Sequence, residues 1–239
     1  MARLARVVLP GVPHHVTQRG NRRLPLFFSD ADRALYLQLL AQSCEAASVS
    51  CLGWCLMDNH VHLILLPKSG DGLRRALAES HRRYTRHVNF REGWRGHLFQ
   101  ARFASYPMAG AHLLAAIRYV ENNPVAAGMV GRAEDWRWSS AKTHADGTRA
   151  AADPLTDLSA LSLQVRNWRA MLKHGWQSAD LGEQGEALAD TIEARLRTGR
   201  PLGPEDWIAE VERQTGRPLA PQKRGPKPKA PTQAGASLA

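Results

Sequence analysis

The sequence predicts an α+β fold: one antiparallel sheet with helices on one face, a small helical C-terminal region, and a disordered basic tail. Three observations predict it. Four short apolar runs, at 14–20, 49–57, 60–67 and 101–108, have strand character and turn residues at their ends. Stretches with apolar residues at helical spacing separate them in the order β-α-β-β-α-β. The chain is 239 residues long and 44% hydrophobic, enough for one full core plus an appendage.

Taken in order, "HHVTQRG" (14–20) reads as a strand that Gly20 and Asn21 close. Asp30 stands as a helix N-cap, because Leu35, Leu39 and Leu40 follow at helical spacing. "VSCLGWCLM" (49–57) and "HVHLILLP" (60–67) flank Asp58-Asn59, a two-residue hairpin signal. Leu73, Leu77, Tyr84 and Val88 mark one face of a helix running from Gly72 to Asn89. "ARFASYPM" (101–108) is the fourth strand. A helix over 109–123 follows and ends at Pro124, since the residue before a proline resists the helical region. This order is that of a ferredoxin-like split β-α-β sheet, completed near "WRWSSAKTH" at 136–144. Residues 1–145 then form the first domain, 146–158 a linker, and 159–220 a helical region. In that region two copies of "GRPL" bracket one helix as turns. The last segment, 221–239, is proline-rich, with four basic residues and no acids, and is expected to be disordered.

The charge narrows the partner. Thirty-two Lys and Arg against 22 Asp and Glu give +10, mostly from arginine, whose planar fork matches phosphate. A polyanion, nucleic acid first, is the expected partner. No stretch approaches the ~20 apolar residues of a membrane helix, and the N-terminal apolar run is too short for a secretory signal. Three cysteines, an odd count, suit a reduced cytoplasmic protein. Strand alternation puts Cys51 and Cys55 on one face as small core hydrophobes rather than as a zinc pair.

The chemistry lies in two places. In "CLMDNHVHLIL" alternation puts His60, His62, Ile64 and Leu66 on one face. Two imidazoles at i and i+2 stand about 7 Å apart at Cα, near enough to converge on one ion. Buried histidines with polar partners inside a core fit the same pattern. In "GAHLLAAIRYVENNPV", Leu113, Leu114, Ile117 and Val120 form the apolar stripe. Tyr119 lies about 200° from Ile117 around the helix, and Asn123, at i+4, points the same way. A surface tyrosine with a C-terminal asparagine is the plain alternative. Together the two places offer two imidazoles, an amide oxygen and a phenol. That set suits a hard cation such as Mg²⁺ or Mn²⁺ beside a tyrosine nucleophile. The other tyrosines compete poorly: Tyr36 and Tyr84 fall on apolar helix stripes, and Tyr106 precedes Pro107 in a strand.

Basic residues surround these places. From Arg74 to Arg102 there are eight arginines and two acids, interleaved with Tyr84, Phe90, Trp94, His97 and Phe99. That mixture tracks phosphates and stacks on unpaired bases. Arg82, Arg83, Arg86, Arg95 and Arg102 are the candidates there. Arg19, Asn21, Arg22 and Arg23 form a second group, in a turn expected to expose its amides and guanidiniums at a strand end. Lys223 and Arg224 in the tail are similar to a minor-groove arm.

Residues 1 to about 145 resemble the REP-associated tyrosine transposases, within the HUH single-strand, IS200-like superfamily. The matching pieces are "HHVTQRGNRRLPLFF", "CLMDNHVHLIL", "RRYTRHVNFREGWRGHLFQARF", "RYVENNPVAAGMV" and "DWRWSSAKTH", in the family's order. The resemblance implies that His60 and His62 are metal ligands with Asn123 as the third, and that Tyr119 is the nucleophile. It implies Mg²⁺ or Mn²⁺ as cofactor and single-stranded DNA beside a repeat hairpin as substrate. The strand would be cleaved and rejoined through a 5′-phosphotyrosine, by a protein of the cytoplasm and nucleoid. The resemblance leaves oligomeric state open, leaning to a monomer. Two positions depart from the family pattern: Asp58, where proline is common, and Val61, where an aromatic is common. Asp58 puts a carboxylate near the expected metal with no role attached. Two other classes stand beside the enzyme: a catalytically silent DNA-hairpin-binding protein, and an RRM-like RNA-binding domain. The second wants exposed aromatics in its central strands, where this chain has Cys, Leu, His and Ile.

Overall fold

A computed structural model describes residues 5–159, 161, 165–173 and 185–220. The tail at 221–239, with Lys223 and Arg224, lies outside the described residues. Four strands, β1 (His14–Arg19), β2 (Val49–Leu56), β3 (His60–Pro67) and β4 (Ala104–Pro107), form one antiparallel sheet in the order β2-β3-β1-β4. This is the split β-α-β arrangement expected. The helices are α1 (Asp30–Ala46), α2 (Gly72–Glu92), α3 (Leu113–Ala126), α4 (Ala141–Asp146), α5 (Trp168–Lys173), α6 (Gly185–Thr198) and α7 (Glu205–Thr215). No helix among the described residues is long and apolar enough to cross a membrane.

The helices divide between the two sheet faces, not one as expected. Tyr36, Leu37 and Leu40 of α1 and Leu73, Leu77, Tyr84 and Val88 of α2 pack with Val16, Leu63 and Leu65. On the other face Leu113, Ile117 and Val120 of α3 pack with Cys55, Ile64 and Tyr106. The physical reason is that β3 is apolar on both faces, so each face needs a cover. Alternation in β2 breaks at a bulge between Cys51 and Gly53. Cys51 therefore joins the α1/α2 core and Cys55 the α3 core, on opposite faces. Both are buried and free, as is Cys44.

Local signals were shifted by packing at two helix ends. Ser29, not Asp30, caps α1, its hydroxyl accepting from the Asp32 amide at 3.2 Å. Asp30 instead accepts from the Trp138 indole at 3.0 Å. Helix α3 runs through Pro124 to Ala126, because Val120, Glu121 and Pro124 are buried and the proline falls in the last turn. Only one ladder hydrogen bond is lost there, and Ala127 N–H closes the end on Asn123 O at 2.9 Å.

Both sheet edges are covered. Leu56 N–H donates to Trp138 O at 2.8 Å beside β2. The 146–158 segment, expected as a linker, also packs on β2. Asp157 N–H donates to Cys51 O at 2.8 Å, and the Trp54 indole donates to Thr156 Oγ1 at 3.0 Å. At the other edge Leu202 N–H donates to Pro107 O at 3.0 Å, and Ala109 N–H to Leu202 O at 2.8 Å. The region after 159 supplies α5, α6 and α7, and Val211 of α7 closes a small core with Val7, Leu9 and Leu219.

His14 is a satisfied core histidine. Its Nδ1 faces Val12 O at 2.8 Å, and its Nε2 accepts from Leu9 N–H at 3.2 Å. Burial lowers its pKa to about 4. The unfolded chain takes up this proton from pH 6.5 downward, whereas the folded state resists until about pH 4. Stability from the neutral ring is thus complete above pH 6.5 and lost as pH falls toward 4. Urea titrations should show the wild type losing roughly 3 kcal/mol more than His14→Gln between pH 7 and pH 4.

Candidate functional site

Pairing of β1 with β3 builds the site. The register sets Thr17 opposite His62 and Arg19 opposite His60. Alternation turns all four side chains to the face that α3 covers. Tyr119 and Asn123 come from α3, and the six residues line one cleft of about 820 Å³ with Arg23 and Arg102.

The imidazoles are fixed from behind. His60 Nδ1 lies 2.7 Å from Asn59 Oδ1, so it carries the proton and donates. His62 Nδ1 lies 3.0 Å from His15 Nε2, and His15 Nδ1 lies 3.2 Å from the Tyr106 hydroxyl. A buried polar chain thus runs from β4 through β1 to β3. On His60 and on His62 these bonds occupy Nδ1, and Nε2 has no hydrogen-bond partner among the described residues. Burial, aided by Arg19, lowers the His60 pKa to about 4. Burial takes His62 well below the usual range, with His15, His60 and Arg19 adding to the effect. Both rings are neutral at pH 7, which is the form that can ligate a metal.

Tyr119 is half-buried, its ring 5.7 Å from the His62 ring and 5.9 Å from that of His15. Its phenol pKa is raised, first by burial and then by Glu193, while a hydrogen bond from Asn123 and the charge of Arg19 lower it. The Asn123 amide also donates to Tyr119 O at 2.8 Å. With its nitrogen end committed to Tyr119, its oxygen is the end left for a ligand role.

Several expected contributors lie elsewhere. Asp58 ion-pairs with Arg33 of α1, which pins the β2–β3 hairpin to α1, and its charge also acts on His60, opposing the effect of burial there. In the 20–23 turn the Gly20 and Asn21 amides are committed inward, to Asn59 O and Leu98 O at 2.8 Å each, and Arg23 N–H donates to Gly20 O. The turn therefore exposes guanidiniums, not the amides expected of it. A Cβ on Gly20 would lie 2.1 Å from Leu24 O, so only glycine fits there. Arg82 pairs with Glu79, and Arg83 with Gln42. Arg22, Arg86 and Arg95 are exposed outside the cleft, and Asn21 lines a neighbouring cavity.

Residues 11–123 match the family model described as Transposase IS200 like. Over that segment, just under half of its length, the chain is similar to the IS200-like transposases. Among solved structures, one with a similar fold is that of the REP-associated tyrosine transposase bound to a REP hairpin. The two share 20% identity at a TM-score of 0.53, over 66% of this chain and 94% of that one. A candidate transposase from Deinococcus radiodurans R1 is 19% identical at a TM-score of 0.35, over 51% of this chain and 97% of its own. No protein of curated function matches.

The cleft also holds groups that sequence reasoning missed. Glu193 and Arg197 reach it from α6, outside the family match. Ile192 of α6, fully buried, packs on Ala115, and Tyr119 packs against the pair. Amphipathic spacing marks α6 as a packing helix, but nothing local says what it packs on. Opposite shifts test this electrostatic frame. Glu193→Gln should lower the pH at which Tyr119 ionises and Arg19→Gln should raise it, read from tyrosinate absorbance with Tyr119→Phe as the blank.

Proposed function

We propose that this chain is a metal-dependent tyrosine endonuclease and strand transferase that cleaves and rejoins single-stranded DNA beside a hairpin. The reading is carried by one observation: a phenol, two neutral imidazoles whose Nε2 atoms are unpartnered among the described residues, and the guanidiniums of Arg19, Arg23 and Arg102 share one cleft. The transposase family and the hairpin bound to the structural neighbour support the DNA substrate.

The donor set fits a divalent ion of the Mg²⁺ or Mn²⁺ kind. His60, His62 and the Asn123 oxygen would hold it, and it would supply positive charge at the scissile phosphate. Among the described residues no three His, Cys, Asp or Glu side chains group to hold a metal by themselves. Substrate oxygens and water are left to complete the shell.

Tyr119 Oη attacks the phosphorus as its proton passes to solvent. The P–O3′ bond breaks, and the departing 3′ oxygen takes a proton. A 5′-phosphotyrosine and a free 3′-hydroxyl result, and attack by a 3′-hydroxyl on the phosphotyrosine reverses the step. Because burial and Glu193 hold the phenol protonated, Arg19 opposes them by favouring the phenolate, and an ion held by His60, His62 and Asn123 would add positive charge beside it. Residues 1–145 are the catalytic domain on this reading, with 159–220 as an accessory element over it.

Incubation of wild type with hairpin oligonucleotides and Mg²⁺ or Mn²⁺ is expected to give a covalent protein–DNA adduct. Tyr119→Phe should give none while keeping hairpin affinity, and His60→Ala or His62→Ala should lose the metal-stimulated cleavage. An adduct that persists in Tyr119→Phe would refute the nucleophile. Tight hairpin binding by the wild type with no adduct under either metal would leave a hairpin-binding protein instead.

A further inference from the structure

Helix α3 carries a carboxyl group that the chemistry above does not use. Glu121 is fully buried and is met by three donors. The Ser140 hydroxyl donates to Oε1 at 2.5 Å, the His144 Nδ1–H to the same oxygen at 2.5 Å, and the Trp168 indole to Oε2 at 2.7 Å. Ser140 and His144 belong to the start and the body of α4, and Trp168 opens α5. The His144 and Trp168 rings lie against each other at 4.3 Å, which holds both donors in place. A carboxyl group taken from water needs such bonds in exchange. Well-packed apolar side chains in the same space would be no less stable. What the polar cluster adds is direction.

Position gives that direction a use. Glu121 lies two residues from Tyr119 and two from Asn123, about 200° around the helix from each, so it holds the opposite flank of α3. The stripe of Leu113, Ile117 and Val120 rests on the sheet between the two flanks. Apolar contact is non-directional and lets a helix roll, whereas hydrogen bonds fix an angle. The hold also reaches the strands. Ser140 Oγ accepts from Trp54 N–H at 3.0 Å, and Ser140 N–H donates to Trp54 O at 3.0 Å. Trp54 lies in β2, whose register sets its neighbour Cys55 opposite His62. A chain of hydrogen bonds thus runs from the back of α3 to the strand paired with the imidazoles.

We infer that Glu121 is a positioning residue: through Ser140, His144 and Trp168 it fixes the roll of α3 on the sheet, and so sets where the Tyr119 phenol and the Asn123 oxygen stand relative to His60 and His62. The inference rests on the tyrosine-nuclease reading above and adds to it a residue on the far side of the helix from the cleft.

The test uses the full chain, a hairpin oligonucleotide and Mn²⁺, and reads adduct rate at saturating oligonucleotide, oligonucleotide affinity and thermal midpoint. Glu121→Gln sets an amide N–H₂ among groups that are themselves donors. It should slow adduct formation about a hundredfold, the scale of a small misplacement of reacting groups, and leave affinity unchanged. Trp168→Phe removes one donor and keeps the ring pair, so it guards against a misfolded first variant. It should show a smaller loss of rate at unchanged affinity and midpoint. With 3-fluorotyrosine incorporated, the Tyr119 fluorine resonance, assigned by Tyr119→Phe, should shift or split in both variants. An apolar cluster of Glu121→Leu, Ser140→Ala, His144→Leu and Trp168→Phe should melt at or above wild type yet still react slowly. A wild-type rate in that folded cluster would make Glu121 merely structural and overturn the inference. So would wild-type rates and an unmoved Tyr119 resonance in Glu121→Gln and Trp168→Phe, with the nuclease reading left standing. No adduct from wild type would overturn the nuclease reading, and the inference with it.

Discussion

The β1–β3 register is the constraint on which the rest depends. It sets Arg19 beside His60 and Thr17 beside His62, and strand alternation then commits both imidazoles to the face under α3. A slip of one residue would send the histidines into the α1/α2 core and put Val61 and Leu63 in the cleft. The slip is barred because it would bury His60 and His62 among the apolar side chains of α1 and α2, away from their polar partners. Val61, Leu63 and Leu65 are fully buried on one side and Ile64 on the other.

The same burial that fixes the register sets the chemistry. Removed from water, His15, His60 and His62 lose their charge and keep lone pairs. Each needs a polar partner in exchange, and the Tyr106–His15–His62 chain and the Asn59–His60 pair supply them. Ring orientation therefore comes from the sheet and its hairpin, not from whatever the cleft binds. For Tyr119 desolvation works the other way, favouring the neutral phenol. The same burial thus keeps the imidazoles neutral and the phenol protonated.

How much of this was legible in the sequence follows from the range of each interaction. Periodicity alone put His60 with His62, and Tyr119 with Asn123, since strand and helix spacing are local rules. The fold class was legible for the same reason. The bulge that parts Cys51 from Cys55 was not, because a single inserted residue leaves no composition signal. Nor was the Asp58–Arg33 pair, whose partners lie on different elements, or the packing of α6 with Tyr119, which joins distant parts of the chain. Pro124 shows a local rule outweighed: buried neighbours carry α3 past a residue that alone argues for a stop.

Leu202 docked against Pro107 has a consequence for how the chain matures. Strand β4 pairs with β1 on one side only, and its other side is closed by a residue that leaves the ribosome much later. During synthesis the sheet can assemble while this edge is still bare, open to pairing with another nascent chain. The final closure joins residues far apart in sequence, a slow step by loop-closure entropy. Leu202 is thus a late-arriving clasp on the sheet, set in place only after the strands it closes have been made.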